Sequence, residues 1–329
     1  MIGPEDTHAS SMQADRVQPA GMDRSGERGI ALVMVLALLA LVAVWAVQSA
    51  DEDWVSLRRA ENMQLAAKTW LGVESGEALA LRTLSADDPA YDSLDEEWAL
   101  QTPAFPVDDG AIAGSIEDAN RFLNLNDLLD PNGKAQPDVV MLVRRLFARL
   151  AIDSRLVDAL VDWMDADQQP YGSGGAEQSA YLNRPYDIKN APLDSLNEVL
   201  LVKGFDVEIL HKLRTVAMAR PSKGLTPLNI NTASADVLLS LAENIPQGEV
   251  EAMISARESA PYKSIAEVTA GGLNGWVSRV KPGWLTVKSD AFRVRVEARF
   301  ARARWAEEVL LGRRGDGFQV MARRKVAGL

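Results

Sequence analysis

The chain has 329 residues with a formal net charge of −11, and 47% of them are hydrophobic, so it can bury a core in two or three units. It has no cysteine, which excludes disulfides and thiolate ligands, and two histidines are too few for a multi-histidine metal site. The acidic balance argues against broad nucleic-acid binding, because phosphate contacts need clustered Lys and Arg.

The first predicted element is an apolar helix. Ile30 to Val47 has no polar or charged side chain, and as a helix it would span ~27 Å, close to the ~30 Å hydrocarbon core of a bilayer. Arg24 and Arg28 precede this run and three acidic residues, 51–53, follow it. This asymmetry predicts a single-pass anchor with the N-terminus in the cytoplasm and the bulk of the chain outside.

The helix is predicted to continue beyond the apolar run. No proline occurs between Ile30 and Ala86, so one helix of ~80 Å is possible, ended by Asp87-Asp88-Pro89. Apolar residues at spacings of three and four predict one apolar stripe, formed by Leu57, Ala60, Met63, Ala67, Trp70 and Val73. The alternative is a simple signal-anchor followed by a juxtamembrane coil.

The junction before the apolar run resembles that of type IV pilin-like proteins. This resemblance implies that prepilin peptidase cuts after Gly29 and methylates Ile30, which leaves residues 1–29 as a leader. Most members of that class carry Glu at the fifth mature position, where this chain has Met34. A buried carboxylate is kept only where a cation meets it, so the missing Glu predicts a subunit with no neighbour ahead of it, at a filament tip.

The remaining elements predict an α+β fold, in which a helical unit interrupts a small antiparallel sheet. Strands are predicted in 111–124, 284–287, 292–300, 306–311 and 318–326, with a hairpin turn at Gly315-Asp316-Gly317. Helices are predicted at 137–150, 153–165, 195–201, 206–218, 234–243, 248–258 and 264–270.

The predicted domain boundaries follow from these elements. After the leader come the transmembrane and pilin core helix, the rest of the helix with the first strand, an inserted α-helical domain of two lobes, and the closing strands. Their ranges are 30–49, 50–124, 125–283 and 284–329.

Four carboxylates surround one Gly-rich loop of the helical part, at about 162–181. They belong to Asp162, Asp165, Asp167 and Glu177. Hard oxygen ligands without His or Cys favour calcium over zinc or copper. The spacing is not that of an EF-hand, and the alternative is a solvated acidic loop with helix-capping Asp residues.

Residues 228–270 resemble helix-hairpin-helix DNA-binding modules. Their hairpin, at 243–248, lacks both glycines of the usual phosphate cradle, and Pro246 has no donor amide. The helical part also has 20 acidic and 16 basic residues. We therefore expect a helical scaffold and no nucleic-acid partner, and we keep a membrane-anchored periplasmic DNA-uptake protein as the alternative function. An anchored enzyme is disfavoured, because no catalytic constellation is visible.

Taken together, the motifs resemble the minor pseudopilin K family of type II (general) secretion systems. The matching segments are the junction without the usual Glu and residues 118–126, 162–167, 175–177, 181, 185–186 and 229–233.

The resemblance implies a pilin-like fold with a large helical insert and a non-enzymatic role in protein secretion. It places the chain at the pseudopilus tip with minor pseudopilins I and J and further pseudopilins, anchored in the bacterial inner membrane with a periplasmic head. It also implies calcium at Asp165, Asp167 and Glu177, and less directly at Asp162. Gln178 stands where the family often has a second acid, so the number of ions stays open.

Overall fold

The computed structural model describes residues 24–88, 90–100, 103–270, 275–315 and 317–326, and the chain divides into two compact units, residues 1–63 and 64–329. The helices of the described residues are α1 (Arg24–Ala86), α2 (Pro137–Arg149), α3 (Leu156–Met164), α4 (Val207–Leu213), α5 (Ala235–Ser240), α6 (Gln247–Ser259) and α7 (Ile265–Ala270). The strands are β1 (Phe105–Val107), β2 (Gly110–Asp118), β3 (Leu123–Asn124), β4 (Ala217–Met218), β5 (Leu228–Asn229), β6 (Leu285–Thr286), β7 (Ala291–Phe300), β8 (Ala303–Arg314) and β9 (Gly317–Lys325).

Helix α1 is one continuous helix, as the proline-free sequence predicts. It includes the one stretch among the described residues that is long and apolar enough to cross a membrane. The side chains of that stretch are exposed, as at Leu41 and Trp45, which are 69% and 70% accessible. A core helix would bury such side chains.

The predicted apolar stripe of α1 is divided in the second unit: Val73 is buried, whereas Ala67 and Trp70 are exposed. The helix contacts the sheet through another face, whose further buried side chains are Thr69, Glu77, Ala80 and Leu84. Two glycines on this other face explain the difference: a Cβ at Gly72 would lie 2.8 Å from the Cβ of Ala298, and one at Gly76 would collide with Val296. The lack of side chains at these glycines lets the helix approach the sheet closely on this face.

The main sheet has five antiparallel strands in the order β1-β2-β7-β8-β9. Strand β2 pairs with β7 from Gly110 opposite Phe300 to Asp118 opposite Phe292. About 170 residues separate these two strands in sequence, and the helical region lies between them. The predicted α+β class, with a helical region interrupting an antiparallel sheet, is confirmed.

The core between α1 and the sheet is built from alternate residues of β7. Phe292, Val294, Val296, Ala298 and Phe300 pack with the buried α1 side chains in one cluster. The intervening positions hold Arg293, Arg295 and Arg299, as the two-residue period of a strand requires.

The helical region shares one large core. Buried residues of α2 and α5 belong to the same cluster, and the Arg145 guanidinium on α2 donates to the backbone carbonyls of Ser240 and Leu241, at 2.7 and 3.0 Å. The structure thus joins the two predicted helical lobes through common packing, while the boundaries of the insert stay a prediction.

Several predicted elements differ from those observed. The helix predicted at 206–218 ends at Leu213, and Ala217–Met218 instead forms β4, parallel to β3. The short strands β1, β3 and β5 were not resolved as separate elements by the sequence patterns, because two- and three-residue strands show too little alternation. The predicted hairpin joins β8 and β9, which pair, but Asp316 lies outside the described residues.

Candidate metal centre

The predicted acidic loop begins where α3 ends. Asp165 is the C-cap residue of α3, Asp167 follows two residues later, and Glu177 directly precedes a 3-10 turn at Gln178–Tyr181. Asp165 and Glu177 are buried, with 8% and 4% of their surface accessible, whereas Asp167 is exposed. The fold therefore buries two acids, Asp165 and Glu177, which come from opposite ends of the loop.

These three residues form a compact oxygen cluster. One carboxylate oxygen from each of Asp165, Asp167 and Glu177 lies within 4.8 Å of the other two. Calcium binds oxygen at about 2.3–2.6 Å, so two oxygens of one shell are at most about 5 Å apart. The spacing of the three carboxylates is compatible with a single calcium ion.

The buried carboxylates of this cluster lack partners. Oδ1 of Asp165 and both carboxylate oxygens of Glu177 are buried and accept no hydrogen bond from the described residues. Burial, and after it the neighbouring carboxylates, raise the pKa of Glu177 to about 7 and that of Asp165 to about 6. Buried acids without donors are costly, and a cation among them would offset that cost, so this donor set fits calcium.

Asp162 has a different role from the other three predicted acids. Its side chain is fully buried, and its two carboxylate oxygens accept hydrogen bonds from the amides of Tyr171 and Ala176, at 2.8 and 2.5 Å. Asp162 is not part of the three-residue cluster. Asp162 therefore shapes the loop around the cluster, and its role as a ligand stays a prediction.

Asp158 is a loop-organising acid that the sequence reasoning missed. It is buried on α3, accepts a hydrogen bond from the Gly174 amide at 3.0 Å, and pairs with Arg144 on α2. Its position four residues before Asp162 places both side chains on one helix face, and this spacing could have revealed it.

The glycines of the loop are required by close packing on α3. A Cβ at Gly172 would lie 2.5 Å from Oδ2 of Asp158, and one at Gly175 would lie 2.6 Å from Oδ2 of Asp162. Gly172 also has a φ of +59°, which favours glycine. The glycine-rich sequence thus lets the backbone amides reach the two buried carboxylates.

Aromatic residues of the predicted motifs lie beside the loop. The ring of Trp163 lies 5.5 Å from that of Tyr181 and 6.2 Å from that of Tyr186, measured between centroids. The Tyr181 hydroxyl accepts a hydrogen bond from the Lys203 amide at 3.0 Å, and the Tyr186 hydroxyl donates to the Leu201 carbonyl at 3.0 Å. These contacts fix the end of the loop to the helical core.

A second acidic group lies near the C-terminal end of α1 and was not predicted. Carboxylate oxygens of Asp87, Asp92 and Glu96 lie within 4.8 Å of one another. Burial is the largest cause that raises the pKa of Asp92 to about 6 and that of Glu96 to about 7. Residues 51–118 include 16 acidic and 4 basic residues, and this acidic excess is the only sign of the group in the sequence.

Donors from the protein occupy much of this second group. The Asp92 carboxylate pairs with the Arg313 guanidinium at 2.6 Å and accepts the Ser289 amide at 2.6 Å. The Glu96 carboxylate accepts the Ser93 amide and the Trp98 indole N–H, both at 2.8 Å. These bonds tie the segment after α1 to the sheet, so Asp92 and Glu96 have a structural role. Oδ2 of Asp87, the third member, is buried and accepts no hydrogen bond from the described residues.

The helix-hairpin-helix-like segment contributes to the same junction. Asn229 Oδ1 accepts a hydrogen bond from the Asn231 amide at 3.0 Å and so caps the turn. Its Nδ2 also donates to the Asp92 carbonyl and to the Asp118 carboxylate, each at 2.9 Å. Pro246 is the N-cap residue of α6, so the position that leads into this helix has no donor amide for a phosphate.

The predicted processing site lies in α1. Gly29 has no atom within 4 Å of an added Cβ, and Ile30 and Met34 are 61% and 67% exposed. Most of the predicted leader, residues 1–23, lies outside the described residues. The structure places the junction on an uncovered helix and does not test its cleavage.

Sequence comparisons agree with the motifs. Two family models, both described as "Type II secretion system (T2SS), protein K", match residues 121–222 and 228–286. The type II secretion system protein K of Pseudomonas aeruginosa is 33% identical over 262 residues, 75% of this chain and 77% of the relative. The protein of the same name from Klebsiella pneumoniae is 31% identical over 317 residues, 91% of this chain and 96% of the relative.

A solved structure agrees in fold. A chain in the crystal structure of the GspK-GspI-GspJ complex from enterotoxigenic Escherichia coli matches with a TM-score of 0.71 and 24% identity. The match covers 82% of this chain and all of that one. These comparisons give the DNA-uptake alternative no support. The chain belongs to the type II secretion system protein K family and is a minor pseudopilin of type II secretion.

Proposed function

We propose that this chain is a non-enzymatic subunit that caps the tip of the type II secretion pseudopilus together with minor pseudopilins I and J. In this position it supports protein secretion across the outer membrane. The observation that carries the proposal is an exposed apolar face on the part of α1 within the second unit.

This α1 face consists of apolar side chains that the sheet leaves uncovered. Trp70 and Leu71 are 52% and 60% exposed, and the exposed small residues Ala67 and Ala78 lie between them around the helix. Another side of the helix packs on the sheet. Large apolar side chains left exposed on one side of a helix indicate a partner. Helices of neighbouring pseudopilins are partners of the right shape and chemistry.

The likeness to a chain of the GspK-GspI-GspJ complex supports pseudopilins I and J as the partners. Met34 supports the tip position, because a subunit with no neighbour ahead has no amine to meet a carboxylate there. The exposed apolar run from Ile30 to Val47 supports anchoring in the inner membrane, with a cytoplasmic N-terminus and a periplasmic head.

Processing belongs to the same proposal. Prepilin peptidase would release a mature chain that begins with methylated Ile30, and mass spectrometry of the mature N-terminus tests this directly. A Gly29→Glu substitution should leave the precursor in the membrane and block secretion. A mature chain that begins at or after Asp51 would contradict the pilin assignment.

Calcium binding at the acidic loop is the second part of the proposal. Asp165, Asp167 and Glu177 would hold the ion, whose positive charge would offset the repulsion among them and order the loop. The unpartnered oxygens of Glu177 and Asp165 are its main support. Asp162 holds the loop backbone in place, and we propose it as a ligand only after Asp165, Asp167 and Glu177.

The exposed apolar face of α1 can be tested as a docking surface by introducing a charged side chain. A Trp70→Asp substitution places a carboxylate in the exposed apolar face, and we expect tagged full-length protein to lose pseudopilins I and J on purification from membranes. Secretion should fall with it. Thr269→Asp, at an exposed position on α7, is the matched control and should retain both partners. Equal recovery of I and J with both variants would refute this docking surface.

A further inference from the structure

The motif at 118–126 uses nearly all of its polar side chains inside the fold. The carboxylate of Asp118 and the amides of Asn120, Asn124 and Asn126 are buried and hydrogen-bonded. Their partners include the Asn229 amide, the carbonyls of Pro227, Leu193 and Arg220, and the carboxylate of Asp127. These four polar residues therefore have a structural role at the junction between the sheet and the helical region.

Arg121 is the exception in this motif. Arg121 is partly buried, its guanidinium carbon lies 5.4 Å from the centroid of the Phe122 ring, and it pairs with no carboxylate of the described residues. A second cation lies nearby: burial, and after it the charge of Arg121, lower the pKa of Arg257 to about 10. Arg121 is therefore a cation that the described part of the fold leaves without a counter-charge.

Arg121 lines a pocket of about 160 Å³ between the segment before β1 and the edge of β2. The apolar wall contains Leu94, Trp98, Leu100 and Ile116. A cavity of about 150 Å³ holds one benzene molecule, so this pocket has room for one bulky apolar side chain. Leu94 and Leu100 at its rim are 44% and 59% exposed, which leaves apolar surface open to a partner.

The other charged residues of the pocket are already paired. Glu117 forms an ion pair with Arg293 at 2.6 Å, and Arg295 forms one with Glu308 at 2.9 Å. Among the described residues that line the pocket, Arg121 is thus the charge without a counter-charge. A guanidinium beside apolar surface favours a carboxylate, which it can bind through two parallel hydrogen bonds.

We propose that this pocket docks a partner protein chain that inserts a bulky apolar side chain next to an Asp or Glu, whose carboxylate pairs with Arg121. The apolar wall favours a protein segment over a small free anion, which would leave that wall in water. The inference goes beyond the proposed function, because it does not depend on the position of the chain in a filament.

The test is photo-crosslinking of the full-length chain in cells with an intact secretion system. Benzoylphenylalanine replaces Leu100 at the rim of the pocket, and mass spectrometry maps the crosslinked peptide. We expect a protein segment with Asp or Glu within two residues of a bulky apolar side chain. Arg121→Glu should lower the adduct yield roughly tenfold or more, because it sets like charges against each other.

Matched variants separate docking from folding. Arg314→Glu reverses an exposed arginine that does not line the pocket and should leave the adduct unchanged. Arg121→Gln removes the charge with little change of size and should lower the yield while the melting temperature of the full chain is retained. Changing the mapped partner carboxylate to Arg should restore the adduct with Arg121→Glu. The inference fails if no protein adduct forms, if the mapped segment has no acid, or if Arg121→Glu and Arg121→Gln leave the yield unchanged.

Discussion

The two acidic clusters of this protein are built from the same residue types but differ in what meets their charges. At Asp92 the protein supplies a guanidinium and an amide, and the carboxylate is fully buried. At Glu177 both oxygens are buried, and no donor among the described residues reaches them. Burial raises the pKa of both acids.

The difference separates structural acids from candidate ligands. A buried carboxylate that the protein itself pairs holds elements together, whereas one left without donors is stable only with a proton or a cation. Clustering alone does not distinguish the two cases, because three oxygens lie within 4.8 Å of one another in both. The hydrogen-bond partners make the distinction.

The largest expected effect is the loss of the protein-paired acid. Asp92→Ala leaves Arg313, whose side chain is 11% exposed, without its carboxylate, so we expect unfolding to be easier by about 3–5 kcal/mol. Urea denaturation of the periplasmic head without the apolar helix, compared between wild type and Asp92→Ala, measures this change in unfolding free energy. A loss below about 1 kcal/mol would show that this cluster is not the structural one.

The second prediction concerns the unpaired cluster. At free calcium 100 times the dissociation constant, wild-type protein should gain ~2.7 kcal/mol of stability over chelator-treated protein. Glu177→Ala and Asp165→Ala should remove this gain while helix content stays nearly unchanged. Asp153→Ala, an exposed acid of the same region, is the control that keeps it. Magnesium should substitute poorly because it demands a smaller octahedral shell.

The calcium prediction has a direct refutation. Chelation should also expose the stretch from Gly172 to Gly175 to protease. Identical wild-type melting temperatures with chelator and with calcium, together with no metal in elemental analysis, would show that this segment is a solvated acidic loop without a bound ion.

The third prediction concerns the glycines that bring amides to the loop acids. Gly175→Ala puts a Cβ 2.6 Å from Oδ2 of Asp162, and we expect a loss of about 1–3 kcal/mol in thermal melts. Gly248→Ala, where no atom of the described residues lies within 4 Å of the added Cβ, should instead stabilise α6 by about 0.5–1 kcal/mol. Equal effects of the two substitutions would mean that the loop is not tightly packed on α3.

The smallest expected effect is a pH dependence at the structural cluster. The pKa of Glu96 is raised from 4.5 to about 7, chiefly by burial, so its contribution to stability is fully present below about pH 4.5 and is lost as pH rises through about 7. Glu96→Gln mimics the protonated form, and its stability relative to wild type should rise between about pH 4.5 and 7 and then level off. Glu97→Gln controls for the loss of one exposed charge. A constant difference between Glu96→Gln and wild type across this range would contradict the assignment.

The sequence predicted the helical and strand regions well where patterns are long. The alternation in 292–300 and the proline-free run to Ala86 correspond to β7 and α1. The prediction that a helix reaches Met218 was wrong, because β4 pairs with a strand from a distant part of the chain. Such pairing leaves no local pattern in the sequence. The sequence did not show which face of α1 contacts the sheet, because Gly72 and Gly76, which allow close approach, interrupt an apolar pattern.

The sequence by itself determined the acids of the loop, the uncharged run of α1, the Gly29-Ile30 junction and the missing Glu at Met34, because these are matters of residue type and spacing. Only the tertiary structure decided that Asp162 binds backbone amides and that Asp92 has a partner. It also decided that Glu177 and Arg121 find no partner charge or donor among the described residues, and that Arg121 lines a pocket. The physical reason is that burial and pairing depend on groups brought together from distant parts of the chain. Asp92 and Arg313, for example, lie 221 residues apart in the sequence and are in contact in the fold.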